Sequence, residues 1–328
     1  MHLNRLEMSV NRSSITNINS CFGIDISYTL TSMHALCMLL YIFLGSLSIV
    51  TVCGNLLVII SIVYFKQLHT PTNSLILSLA VVDLLVGILV CPLTIKFSTT
   101  ACLYHYDMFC KIRTTFGTSL CTCSILHLCC ISIDRYYAVC QPLTYRFTMN
   151  NRVIVIMTLM SWAVSAFIGV SMITSRSQQN NCGTICLNRV KLLSIVSLIF
   201  AFYLPMIIML SVYLKIFQVA QRQVFRIQST KLGNNVSKME RKATKTLTIV
   251  MGVFLMCWLP YFICTTLLIL INVSLPYAVL ELLTWLALCN SVLNPFIYAF
   301  FYSWFRTSFK LIISGRIIQC DCTNLKLL

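Results

Sequence analysis

Seven stretches of this chain are each long and apolar enough to cross a lipid bilayer: roughly residues 35–63, 73–96, 108–140, 152–174, 191–218, 244–270 and 278–302. A helix needs about 20 apolar residues to span the hydrocarbon core. Backbone placed in lipid must satisfy its own hydrogen bonds, which leaves only helices or closed barrels. Barrel strands are alternating runs of about 10 residues, whereas these runs are continuous. The sequence therefore predicts an all-α membrane protein, a seven-transmembrane-helix bundle. Composition agrees: 58% of the residues are hydrophobic and only 10% are charged, against about 25% charged in soluble domains.

An odd number of spans puts the two ends of the chain on opposite sides. The stretch "AQRQVFRIQSTKLGNNVSKMERKA" (220–243) and the tail after Phe305 are strongly basic. Both are placed inside the cell, with the N-terminus outside, because cytoplasmic loops collect Lys and Arg. On that assignment 16 of the 24 Lys and Arg residues lie inside. The formal net charge of +16 then points to the anionic inner leaflet of the plasma membrane and not to nucleic acid. The first 34 residues are too polar for a secretory signal, so the first span carries its own targeting. The domain reading is an extracellular segment 1–34, a transmembrane domain 35–302 and a cytoplasmic part 303–328. In the last part "YSWFRTSFKLIISG" (302–315) mixes Trp304, Phe305 and Phe309 with Arg306 and Lys310, the pattern of a short amphipathic helix on the inner surface. Cys320 and Cys322 follow as candidates for palmitoylation. Asn11 in "NRS" stands in the right compartment for glycosylation. Most of the 18 cysteines sit in apolar runs as small hydrophobes. No C-x-x-C pair is matched to a second pair or to histidines, so they are not read as zinc ligands.

Ionisable residues are expensive inside a membrane and usually mark function. The chain has eight acids: Glu7, Asp25, Asp83, Asp107, Asp134, Glu240, Glu281 and Asp321. Asp83, in "SLAVVDLLVG", is the one near mid-membrane. Asn55, Ser124, Asn290, Ser291 and Asn294 are its expected polar company. Hard oxygen ligands around one carboxylate suit a sodium ion; a hydrogen-bonded cluster holding a proton or water is the alternative. Asp134, Arg135 and Tyr136 close the third run. Arg135 paired with Glu240, at the base of the sixth run, would tie two helices together and open on activation, a two-state element. A simple interfacial charge cluster is the alternative. Pro92, Pro205, Pro260 and Pro295 each remove a helix hydrogen bond and permit a kink. Trp258 lies two residues before Pro260, where its ring could sense a ligand above and move the helix below.

With these elements in order, the chain resembles a known family. "GN" at 54–55, "SLAVVD" at 78–83, "DRY" at 134–136, Trp162, Pro205, "CWLP" at 257–260 and "NPFIY" at 294–298 look like rhodopsin-class G-protein-coupled receptors. The resemblance implies no enzyme activity, a small-molecule ligand, and nucleotide exchange on a heterotrimeric G protein. It also implies that Arg135, Tyr213 and Tyr298 rearrange on activation. The same motifs argue against a transporter or channel with a basic cytoplasmic face. "DRYYAVCQPLTY", "ERKATKTLTIVMGVFLMCWLPYF" and "NSVLNPFIYAFFYSWFR" are similar to trace amine-associated receptors. That likeness implies an olfactory amine receptor coupled to a stimulatory G protein, with disulfides Cys110–Cys186 and Cys21–Cys182. Spacing alone leaves the exchanged pairing open.

One expected group is missing. Such receptors hold the ligand ammonium with an aspartate eighteen residues before the arginine of "DRY". Here that residue is Gly117. Eighteen residues are five helical turns, so Gly117 and Arg135 share a face about 27 Å apart. The tyrosine that often accompanies the aspartate is replaced by Leu288, and Ser197 stands at ligand level in the fifth run. The remaining pocket reads as Leu120, Cys121, Trp258, Tyr261, Phe262 and Trp285. Aromatic faces can hold an ammonium for roughly 0.5–2 kcal/mol each. Two acids could substitute: Glu281, one turn above Trp285, and Asp107, at the start of the third helix, ten residues from Gly117 and off its face; the alternative role of Glu281 is a rim salt bridge to a loop cation. Arg113, one turn above Gly117, would instead anchor a neutral or anionic ligand; its alternative is to snorkel outward to the interface.

Overall fold

The computed structural model describes residues 30–99, 108–177, 184–228, 234–271 and 276–315. Among these there is no strand, and seven helices are long and apolar enough to cross a membrane. The spans cover Tyr41–Tyr64, Pro71–Lys96, Ile112–Cys140, Asn151–Ser171, Lys191–Val219, Ile249–Ile271 and Ala278–Phe301. They match the seven apolar runs to within a few residues. The first helix begins earlier than the run it contains, at Leu30, because a helix can continue beyond the hydrocarbon. A helix from Ser303 to Ile313 follows the seventh span and turns Trp304 and Phe305 inward while Arg306 and Lys310 stay exposed.

The third span is the axis of the bundle. It packs against the second, fourth and fifth spans, while the first lies between the second and seventh and the sixth between the fifth and seventh. Its helix is continuous from Met108 to Cys140, so Gly117 and Arg135 lie on one rigid element. Lipid-facing side chains such as Ile42, Leu159, Phe167 and Phe300 are exposed in the bundle. They are the reverse of a soluble surface and belong in a bilayer.

Two spans carry a widened π-turn just before a proline. Val86–Val90 precedes Pro92, and Ile199–Tyr203 precedes Pro205. A proline ring clashes with the carbonyl four residues back, and a wider turn relieves that clash. Pro260 and Pro295 instead sit within continuous helices. Gly54 shows why "GN" needs glycine. A Cβ there would lie 3.0 Å from both Cβ and Cγ of Pro295, so the first and seventh spans approach more closely than a side chain permits. That approach brings Asn55 beside the seventh span.

Candidate functional site

Asp83 is fully buried, and its carboxylate is met from two other helices. Ser124 Oγ donates to Oδ1 at 3.2 Å and Ser291 Oγ to the same oxygen at 2.7 Å, while Asn294 Nδ2 donates to Oδ2 at 2.7 Å. Asn55 joins at one remove. Its Nδ2 donates to the carbonyls of Thr51 and Ser291 at 2.9 and 3.1 Å, and its Oδ1 is buried without a hydrogen-bond partner. Asn290 is buried nearby in sequence, with Nδ2 unpartnered. The expected polar cluster is thus assembled, with Ser124, Ser291 and Asn294 in direct contact.

At the "DRY" end, Arg135 bonds its neighbour. Nη2 lies 2.6 Å and Nε 3.0 Å from Asp134 Oδ2. Nη2 also donates to Thr72 Oγ1, which itself donates to Asp134 Oδ2 at 2.9 Å. Tyr145 OH closes the group at 2.9 Å from Asp134 Oδ1. The second span and the loop helix Pro142–Thr148 are therefore tied to the third span through one buried carboxylate. Tyr145 lies beyond the spans, and burial raises its pKa, which keeps it a proton donor. Tyr213 OH accepts from Ser132 Oγ at 3.3 Å, Tyr298 is buried with its ring edge-on to Tyr302 at 5.9 Å, and Lys215 Nζ lies 5.8 Å over the Tyr136 ring. Glu240 lies on a described helix, but its side chain is outside the described residues, as are those of Cys110 and Cys186. Asn11, Cys21, Cys182, Cys320 and Cys322 are outside them altogether.

The ligand-level residues separate into tiers. Lowest is an aromatic cluster: Trp258, Phe262 and Phe202 pack with Phe254, the Phe202 and Phe262 rings stacking 3.9 Å apart. Tyr261 meets Phe262 edge-on at 5.4 Å, and Trp258 Nε1 is buried and unpartnered. Ser197 is buried beside Leu198 of this cluster. A second cluster gathers Leu120, Trp285 and Leu288 with Val90 and Cys91, and Cys121 packs against both clusters. The single aromatic pocket expected from sequence is therefore two packed groups joined at Cys121. Above them, Arg113 Nη2 lies 3.2 Å from Glu281 Oε1, and Arg113 Nε lies 3.4 Å from Thr94 Oγ1.

That ion pair corrects the reading of Arg113. The outward course drawn for it is not realised, because its guanidinium meets Glu281 across the bundle. Their side chains are only 16% and 13% exposed. Gly117, one turn below, is not required by packing. A Cβ there would meet only Val90 Cγ1, at 3.8 Å, an ordinary contact. Packing at the Cβ position therefore does not by itself demand glycine.

The relation of these motifs to known proteins is settled by sequence comparison. The family model described as 7 transmembrane receptor (rhodopsin family) matches residues 54–298. The chain belongs to that receptor family. It is 42% identical over 308 residues to trace amine-associated receptor 1 of Homo sapiens, covering 88% of this chain and 91% of that protein. The Macaca mulatta counterpart is 41% identical with the same coverage, and trace amine-associated receptor 4 of Mus musculus is 40% identical over 307 residues, covering 88% of each. The receptor is a multi-pass membrane protein resembling this group throughout its spans.

Several contacts of the receptor carry no signal in its sequence. Thr94, Thr72 and Tyr145 are ordinary polar residues until the fold brings them to Arg113 and Asp134. Phe202 stacks in the lowest tier although only its neighbour Pro205 stands out. A test follows from the open position on the third span. Gly117→Ala should keep or raise the melting temperature of the purified receptor, since helix-interior Gly costs roughly 0.5–1 kcal/mol relative to Ala. A clear fall would mean that space at this position is needed for packing.

Proposed function

We propose that this receptor sits in the plasma membrane with its N-terminus outside and, on binding an amine-bearing small molecule, promotes nucleotide exchange on a stimulatory heterotrimeric G protein. The Arg113–Glu281 pair above the open Gly117 position is the observation that carries the ligand part of this reading. Glu281 is the one acid described at that level, and it takes over as counter-charge for an ammonium once the third-helix aspartate is gone. The aromatic tier beneath supplies cation–π surface. The names of the similar receptors support an amine, and likeness to that group supports an olfactory setting. At the opposite end, Leu143 and Phe147 of the loop helix are 91% and 85% exposed. They lie beyond the spans, on the loop helix that Tyr145 ties to the "DRY" group. An exposed apolar surface there suits a protein partner.

A second reading rests on Arg113. Thr94 as well as Glu281 holds its guanidinium at the ligand level, which would suit a neutral or anionic ligand on the same scaffold. Cyclic AMP in cells expressing the receptor separates the two. Amine-bearing compounds should raise it, and Glu281→Gln should abolish the response at matched surface expression. A response to carboxylates alone, unaffected by Glu281→Gln, would support the second reading and defeat the first. The same assay reads the inner switch. Glu240→Ala should raise basal cyclic AMP if that acid restrains Arg135; unchanged basal signal would remove it from the switch.

The Asp83 cluster fits a sodium ion, which belongs to the same proposal. A carboxylate, two hydroxyls and the buried unpartnered Asn55 Oδ1 form a set of hard oxygens. Asp83, Ser124 and Ser291 would hold the ion, which would add positive charge between the third and seventh spans. Sodium chloride should then raise the melting temperature of the receptor more than choline chloride does, and Asp83→Asn should erase the difference. Equal stabilisation by both salts would exclude the ion.

A further inference from the structure

We propose that the inner end of this receptor carries a docking site for a polyphosphoinositide, a membrane lipid whose headgroup bears several phosphates, held by Lys66, Arg306 and Lys310. This rests on the orientation proposed above, which places that end against the cytoplasmic leaflet.

Charge is unevenly distributed there. On that orientation the inner segments carry 16 Lys and Arg residues but three acids, Asp134, Glu240 and Asp321. Asp134 is buried and bonded to Arg135, Thr72 and Tyr145, so it offers nothing to the surface. Among the described residues no acid is exposed at this end, whereas Lys66, Arg306 and Lys310 all are. Neither Lys66 nor Lys310 is ion-paired among the described residues. Arg306 Nη1 donates to the carbonyls of Ala299 and Phe300 at 3.1 and 2.9 Å. Those are dipoles, which fix the guanidinium without neutralising it.

Packing holds the three cations round one apolar cluster. Lys66 opens the short turn Lys66–Leu68 between the first two spans, and Phe65 and Leu68 beside it are buried. They pack with Trp304 and Phe305 of the helix Ser303–Ile313, and Leu311, next to Lys310, packs against the same cluster. Arg306 and Lys310 are four residues apart on that helix, so they emerge as neighbours, with about 5–6 Å between Cβ atoms. That is inside the screening length of about 8 Å at physiological salt, so both can act on one headgroup. Tyr298 belongs to the same cluster, which links the site to the end of the seventh span.

Depth and charge density identify the occupant. Phe309 and Ile313 of the same helix are 39% and 66% exposed. Apolar side chains on such a helix enter the boundary between headgroups and acyl chains. Val63, just before Lys66, is exposed as a lipid-facing residue is. The cations therefore stand at headgroup level. Phosphate oxygens accept charge-assisted hydrogen bonds from guanidinium and ammonium groups. A lipid with one net charge answers one such cation, while an inositol ring with two phosphates can answer several.

Titrating fluorescently labelled lipids into the purified full-length receptor in neutral detergent measures binding with no G protein or agonist present. Phosphatidylinositol bisphosphate should bind at least about tenfold more tightly than phosphatidylserine, and phosphatidylserine added at equal total charge should not displace it. Lys66→Gln and Lys310→Gln should each weaken binding severalfold, and Lys310→Arg should keep it. Arg222→Gln removes an exposed cation of the fifth-span helix and should change nothing. Displacement by phosphatidylserine, or a loss with Arg222→Gln as large as with Lys310→Gln, would reveal only diffuse attraction to a basic face and overturn the proposal. Unchanged binding in both lysine variants would overturn it too. Soluble inositol trisphosphate bound as tightly as the lipid would give the site to a free phosphate compound instead. None of these results depends on which way the receptor sits in a cell. A C-terminal epitope detected on intact cells would defeat the orientation, and with it the cytoplasmic source of the lipid, but not the binding.

Discussion

A polar side chain inside a bilayer has to find its partner on another helix, since hydrocarbon offers none. The architecture of this receptor follows from that requirement. Asp83 draws donors from the third and seventh spans to the centre of the bundle. Asp134 gathers Arg135, Thr72 and Tyr145 at one end. Arg113 and Glu281 meet at the other. Apolar clusters fill the space between these three nodes. Packing alone would let helices slide past one another; the polar nodes set their register.

The three nodes differ in how easily they could rearrange. The Asp83 group is buried, and its carboxylate is held by three hydrogen bonds from two other helices. The Asp134 group includes a guanidinium that already has local partners, so any movement of Arg135 must first give up contacts on its own helix and on the second span. The Arg113–Glu281 node is partly exposed. Its two side chains keep 16% and 13% exposure, and Gly117 lies one turn beneath Arg113.

Much of this was legible in the sequence, for identifiable reasons. Spans are encoded by continuous apolar runs, which tertiary context does not alter, so all seven agreed to within a few residues. Asp83 and its partners stood out because they are polar in apolar surroundings. Proline marked where the second and fifth spans depart from regular helix, although not that the departure is a π-turn preceding Pro92 and Pro205, because the widening belongs to backbone geometry. The Arg113–Glu281 contact was not legible as a pair. Each residue was singled out alone, but 168 positions separate them, and only the folded bundle brings the two side chains within reach of each other. Gly117 was seen as a missing charge, and the structure adds that a Cβ there would make only an ordinary contact, with Val90.

The outer end of the bundle depends most on the mutual neutralisation of Arg113 and Glu281. A double-mutant cycle measures it directly, with Arg113→Gln, Glu281→Gln and the double variant compared by the stability of the purified receptor. Each single change takes one partner from a poorly solvated charge while the double change removes both charges together, so the double variant should lose clearly less stability than the sum of the singles. Additive losses would contradict the account, because they would mean that the two charges stand at the ligand level without depending on each other.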